Sequence, residues 1–222
     1  MHLSTAEHDR VTAAVTAAEL GTDGEIVTVV ARQSDAYHDV ALQWSVLGMV
    51  LALAMLATFP RVVEDIHARV FGGWSGPETG PVLAIATVLA TLVFLLCRLL
   101  LAWRPLRLLL TPAATKTRRV RRRALKLFRT GAEKRTIAST GVLLYLSLDE
   151  HRAELIADDA IHSRVSADVW GAAMAALVAA VKDGRPGDGM ADAVTQIGVV
   201  LAEHFPRSEG DTNELPDRLI EL

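Results

Sequence analysis

The chain has 222 residues, of which 51% are hydrophobic, and a mean hydropathy of +0.29. That size fits one domain plus membrane segments, and the apolar excess argues against an entirely water-soluble protein. The net charge of −3 hides a segregation: residues 104–135 hold 12 basic residues against one acid, Glu133, whereas residues 149–222 hold 15 acids and 6 bases. The single cysteine, Cys97, excludes an internal disulfide and a thiolate metal cluster.

The opening MHLSTAEHDR has no apolar core and reads as no secretory signal. Ser4-Thr5-Ala6-Glu7 fits a capping box, in which Ser4 caps a helix and Glu7 reaches back to it. Val11, Ala14, Val15 and Ala18 share one face of that helix, and Gly21 and Gly24 end it. EIVTVVA at 25–31 is a nearly continuous apolar strand of the kind that is buried on both faces. A segment of 39 residues cannot bury it alone, so the strand is expected to complete a sheet formed further along the chain.

Between Asp39 and Arg61 stand 21 residues without a formal charge, and between Glu78 and Arg98 another 19. Twenty-one helical residues reach about 31 Å, close to the hydrocarbon thickness of a bilayer. Both stretches are apolar on every face, so they are expected to be transmembrane rather than core helices. Trp44 and Trp103 suit a membrane interface, and Arg98 is close enough to snorkel there. The basic residues that follow the second helix orient that end towards the cytoplasm. The hairpin returns the chain to the same side, so residues 1–39 face the cytoplasm too and only the loop 61–78 lies outside. The expected location is the inner, cytoplasmic membrane.

In the stretch beginning TKTRRVRRRALKLFR, Val120, Ala124, Leu127 and Phe128 share one face of a basic amphipathic helix. Its expected place is against anionic lipid; without interleaved aromatics or a docking motif, no nucleic acid is expected. TGVLLYLSL (140–148) and AELIA (153–157), joined by DEHR, read as an antiparallel hairpin. Ser166 is the expected N-cap of a helix carrying Val169, Trp170, Ala173 and Leu177, with Trp170 a core anchor. GRPGDG at 184–189 breaks the chain before a last helix with Val194, Ile197, Leu201 and Phe205 on one face. The tail 207–222 is polar and acidic and is expected to be mobile. This order implies helices packed on a small mixed α/β sheet. The expected parts are 1–39, a membrane hairpin 40–103 (helices 40–60 and 79–103), the basic segment 104–135, the remaining domain 136–206, and the tail.

TDGEIVTVVA, TGVLLYLSLDEHRAELIADDAI, GRPGDGMADAV and LAEHFP together resemble the TPM domain family, most tellingly at Gly24-Glu25-Ile26-Val27 and Thr140-Gly141-Val142-Leu143-Leu144. The chain looks like the bacterial membrane-anchored branch, in which two transmembrane helices interrupt the domain after its first strand. The resemblance implies an α/β/α sandwich. It also implies a choice among phosphatase-like activity, divalent-cation binding, and assembly or repair of membrane complexes. The positions matching the family's cation-binding acids are Asp158, Asp159 and Asp168, for calcium or magnesium. Ala138-Ser139 and Ala160 depart from the family pattern around that site.

Other chemistry finds little support. The histidines do not have zinc-ligand spacing; His151 and His162 merely flank the acidic pair. Gly73-Trp74-Ser75-Gly76-Pro77 lacks the last glycine of a nucleophile elbow, and no P-loop or GxGxxG stretch occurs. The expected function is a non-enzymatic interaction or assembly module at the cytoplasmic membrane face, with a membrane-protein partner. The alternatives are a metal-dependent phosphohydrolase and a binder of anionic lipid surfaces. The sequence leaves the oligomeric state open.

Overall fold

A computed structural model describes residues 3–72, 78–131, 140–208 and 217–222. The chain forms two compact units, one of residues 1–35 and 113–222, the other of residues 36–112.

In the first unit, α1 (Thr5–Glu19) begins with the expected capping box: Ser4 Oγ accepts from the Glu7 amide, and Glu7 Oε2 accepts from the Ser4 amide at 2.7 Å. The chain then enters β1 (Glu25–Ala31), leaves for the second unit, and re-enters at α6 (Ala113–Gly131). After α6 come β2 (Gly141–Ser147), β3 (Arg152–Ala157), the short α7 (Asp159–His162), α8 (Gly171–Lys182), α9 (Pro186–His204) and β4 (Ile220–Glu221). The sheet order is β3-β2-β1-β4, with β1 parallel to β2 and β4, and β2 antiparallel to β3. Glu25 pairs with Gly141 and Ala31 with Ser147, so the strand before the long excursion is zipped along its whole length to the strand after it. Every residue of β1 and β2 is buried.

Two apolar layers bury them. On one face Ile26, Val30, Val142, Leu144 and Leu146 pack with Val11 and Val15 of α1, Leu177 of α8, and Val194, Ile197 and Leu201 of α9. Helices α1 and α9 approach closely: a Cβ on Gly198 would stand 2.5 Å from Ala18 Cβ. On the other face Val27, Val29, Leu143, Tyr145 and Ile156 meet Val120, Ala124 and Phe128 of α6. The apolar stripe of α6 is therefore spent on the sheet, where Val120 and Ala124 are fully buried, rather than turned towards lipid. A parallel pair needs cover on both faces, and α6 supplies the second layer of the α/β/α sandwich.

Two further expectations change. Ser166 makes no side-chain cap, and a short 3-10 turn (Ala167–Trp170) precedes α8. The tail does not stay outside the fold: Leu219 is buried, and Ile220–Glu221 adds a strand beside Val29 and Val30. Two apolar residues, Leu219 and Ile220, among acids were enough to close that edge. Near it Glu19 is pushed up to about 8, mainly because burial penalises its charge; the Ile26 amide at 2.7 Å opposes the shift, and the like charges of Glu25 and Asp217 add to it.

The second unit contains α2 (His38–Thr58), α3 (Arg61–Phe71), α4 (Thr79–Leu100) and α5 (Arg104–Leu109). Helices α2 and α4 are long and apolar enough to cross a membrane, and most of their large side chains are exposed, Leu99 at 71%. They pack on each other where Gly48 leaves room for Cys97: a Cβ there would sit 3.0 Å from the sulfur. Small residues permit this kind of close helix approach. The expected loop 61–78 is in part helical, since α3 buries Val63 and His67 on one side. Trp44 donates from Nε1 to the Leu110 carbonyl at 3.2 Å, whereas Trp103 is 66% exposed.

Candidate functional site

The antiparallel register of β2 and β3 fixes which backbone groups of β3 are satisfied. The Asp158 amide donates to the Gly141 carbonyl at 3.0 Å, marking that pair as hydrogen-bonded. Alternation then gives Ile156, Glu154 and Arg152 the bonds to β2 and turns the amides and carbonyls of Ala153, Leu155 and Ala157 to the opposite side. Among the described residues no strand pairs with that side.

A cavity of about 470 Å³ lies along this edge. Its floor is Ala153–Ala157, one wall is Arg121, Leu125, Phe128 and Arg129 of α6, and the other is Trp170, Gly171 and Met174. Asp158, Asp159 and His162 close one end. Arg121 reaches Glu154 at 4.0 Å across the wall, and burial raises the Glu154 carboxyl above its ordinary range against the pull of Arg121 and Arg152. Trp170 is 5% exposed and belongs to the core as expected, but its Nε1 is buried with no hydrogen-bond partner.

The three expected ligand acids are placed differently. Asp158 is buried: its Oδ2 accepts from the Gly141 amide at 2.9 Å, while its carbonyl accepts from the amides that open α7. It ties the end of β3 to the beginning of β2. Asp159, in the first turn of α7, is exposed and lines the cavity beside Asp158. Asp168 lies in the 3-10 turn, is exposed, and is not among the cavity's lining residues. Among the described residues no group of three His, Cys, Asp or Glu side chains is placed to share a metal ion. Ala160 lies within α7, His151 occupies the β2–β3 turn with φ 46°, and Ala138-Ser139 and the Gly73–Pro77 stretch fall outside the described residues.

A second polar cluster sits where the parallel strands end, the usual side for ligands in parallel sheets. The Ser34 amide donates to Glu150 Oε1 at 2.9 Å, the Ser34 hydroxyl lies 2.9 Å from the Tyr145 hydroxyl and donates to Ser147, and Ser147 donates to Glu150. Asp35 pairs with Arg119 of α6 at 2.7 Å. The cluster satisfies itself and locks the chain leaving β1 to the turn leaving β2. Sequence reading missed it, because Ser34, Tyr145 and Glu150 share no spacing. It also misses the arginine wall, since a basic amphipathic helix reads equally well as lying on lipid.

Residues 106–200 match the family model described as the TPM domain. That span contains α6 through most of α9; the structure adds α1 and β1 to the same sheet from before the hairpin. No curated protein matches the chain. The chain is similar in fold to the NMR structure of BA42 protein from the psychrophilic bacterium Bizionia argentinensis, with a TM-score of 0.57 and 18% identity. The superposition covers 100% of this chain and 97% of that one. Residues 106–200 thus carry a TPM-domain match, and the chain as a whole is similar in fold to BA42.

Proposed function

We propose that the protein is a membrane-anchored TPM-domain module that binds or helps assemble a membrane-protein partner at the cytoplasmic face of the inner membrane. The observation that carries this reading is the β1–hairpin–β2 connection. Two exposed apolar helices interrupt a domain whose strands on either side are paired from Glu25–Gly141 to Ala31–Ser147. A bilayer-crossing pair must then leave both flanks on one side, and the 12 basic residues of 104–135 favour the cytoplasm. The domain is held within reach of other membrane proteins by covalent connection at two points.

The test is chemical cross-linking in native membranes with the full chain, together with thiol labelling of single cysteines engineered in α1, in the 61–78 loop and in the tail. A recurrent membrane-protein partner, with the loop labelled from the face opposite the other two, is the expected result. Loss of any reproducible partner would remove the module reading, and labelling of α1 and the tail from opposite faces would remove the topology.

A second reading is a phosphohydrolase using calcium or magnesium. It draws support from Asp158, Asp159, His162, Arg121 and Arg129 lining one cavity, where arginines suit phosphate and carboxylates suit a hard cation. Hydrolysis of an aryl phosphate by the full chain, dependent on added Mg²⁺ or Ca²⁺ and lost in Asp159→Ala, would favour it. Cation-independent turnover would count against it.

A further inference from the structure

Both ends of the sheet are edges, and the chain treats them differently. At β1 the tail adds β4, with the Leu222 amide donating to the Val30 carbonyl at 2.9 Å. At β3 the amides and carbonyls of Ala153, Leu155 and Ala157 face the cavity between α6 and α8. An edge that presents such a row is a template for another strand, and natural domains usually blunt or cover it. Here the walls on both sides leave a slot whose floor is hydrogen-bonding backbone. The side-chain environments of a strand lying in it are also fixed. Alternate residues of an added strand share a face with Glu154 and Ile156, against Arg121 and Arg129, or with Ala153 and Leu155, against Trp170 and Met174.

We infer that this slot takes an extended segment of a partner protein by strand addition beside β3, and that the segment alternates acidic and apolar residues. The acids face the α6 wall and the apolar residues face Trp170 and Met174. The charge of α6 decides the occupant: its 19 residues carry eight bases and no acid. A second copy pairing β3 antiparallel with β3 about a two-fold axis normal to the sheet would bring two such helices side by side on one face, with like charges opposed. The chain's own tail is engaged at the other edge. An acidic strand instead meets the basic α6 wall, where Arg121 lies 4.0 Å from Glu154 and Arg129 lines the same cavity. Main-chain bonds then supply affinity, and the two walls supply selectivity. The inference rests on the interaction-module reading and locates its docking site.

The test uses the full chain in nanodiscs of neutral phosphatidylcholine and a fluorescein-labelled Glu-Val-Glu-Val-Glu-Val peptide, read by anisotropy. Two N-methylated versions carry methyl groups on the valine amides or on the glutamate amides. Strand addition uses only one of these sets, so one version should lose about tenfold or more in affinity while the other stays within about threefold. The blocked isomer Glu-Glu-Glu-Val-Val-Val and the double variant Arg121→Glu/Arg129→Glu should each weaken binding by a similar factor. Leu155→Pro removes an outward amide at an edge position that tolerates proline, and should do the same. Should that variant fold poorly, the N-methyl pair still decides with the unaltered chain. Equal effects of the two methylation registers, equal binding of the blocked isomer, or no binding of the alternating peptide would each overturn the slot. If Arg121→Glu/Arg129→Glu still cross-links its membrane partner while the peptide fails to bind, the slot is wrong and the module reading stands. If the unaltered chain cross-links no partner, the module reading itself fails.

Discussion

Helices α4 and α8 are both dominated by aliphatic side chains, yet they have opposite surroundings. In α8, Ala173, Leu177 and Val181 are buried against the sheet and α9. In α4 only Ala90 is buried, and Leu83, Val88, Leu92, Leu95 and Leu99 are all more than half exposed. The difference lies in length and company. Twelve residues followed by a Gly-Pro-rich break fold back on a sheet, whereas 22 residues packed on α2 and, less extensively, on α3 keep an apolar girdle. Apolar content alone does not separate the two cases; the number of faces a neighbour can cover does.

Substitutions that remove apolar bulk from each environment break this comparison most directly. Leu201→Ala, in the fully buried layer between α9 and the sheet, should cost about 2–5 kcal/mol of the α/β unit's stability, read as a lowered melting transition in detergent. Leu95→Ala should leave that transition unchanged; a fall comparable to that of Leu201→Ala would mean that α4 is a core helix. Val88→Asp should hinder membrane insertion by about 2.5–3.5 kcal/mol, seen as a shift to the soluble fraction in an insertion assay. Full integration would deny α4 its membrane role.

Two smaller effects sharpen the comparison within the α/β unit. Glu19, at about 8, binds its proton more tightly in the folded state than at the ordinary 4.5. Its contribution to stability is complete below about pH 4.5 and declines as pH rises through 8, because the folded state then carries the extra proton. Glu19→Gln should flatten the loss of melting temperature between pH 5 and pH 8.5; a slope equal to the parent's would show that this carboxyl does not cause it. Smallest is Ser4→Ala, which should cost about 1 kcal/mol through the lost cap of α1 and show earliest in amide exchange of its first turn.

Much of the fold was legible before the structure. The capping residues, the run EIVTVVA and the two charge-free stretches each carry a local signal, and β1 matches residues 25–31. That β1 joins a sheet formed further along the chain followed from one argument, that a doubly apolar strand cannot be buried by a short segment; its pairing with β2 came from the structure. The destination of the stripe Val120, Ala124 and Phe128 was not legible: an amphipathic helix fits a bilayer surface and a sheet equally well, and only three-dimensional neighbours separate the two. The same holds for Leu219 and Ile220, whose period is too short to distinguish a strand from a tail. Of the candidate site, sequence reading found Asp158 and Asp159 at the end of β3. It did not find the slot, which exists because α6 and Trp170 flank an edge that no described strand pairs with.

The pairing of β1 with β2 has a consequence for how the molecule is made. Glu25 must wait for Gly141 to be synthesised, so the first strand is translated more than a hundred residues ahead of its neighbour. An unstructured tether of that length would make the search for register slow and entropically costly. A helical hairpin that closes early takes residues 38–100 out of that tether and leaves the 6 residues before it and the 40 after it. An early-closing hairpin thereby lowers the entropic cost of bringing the second strand to the first.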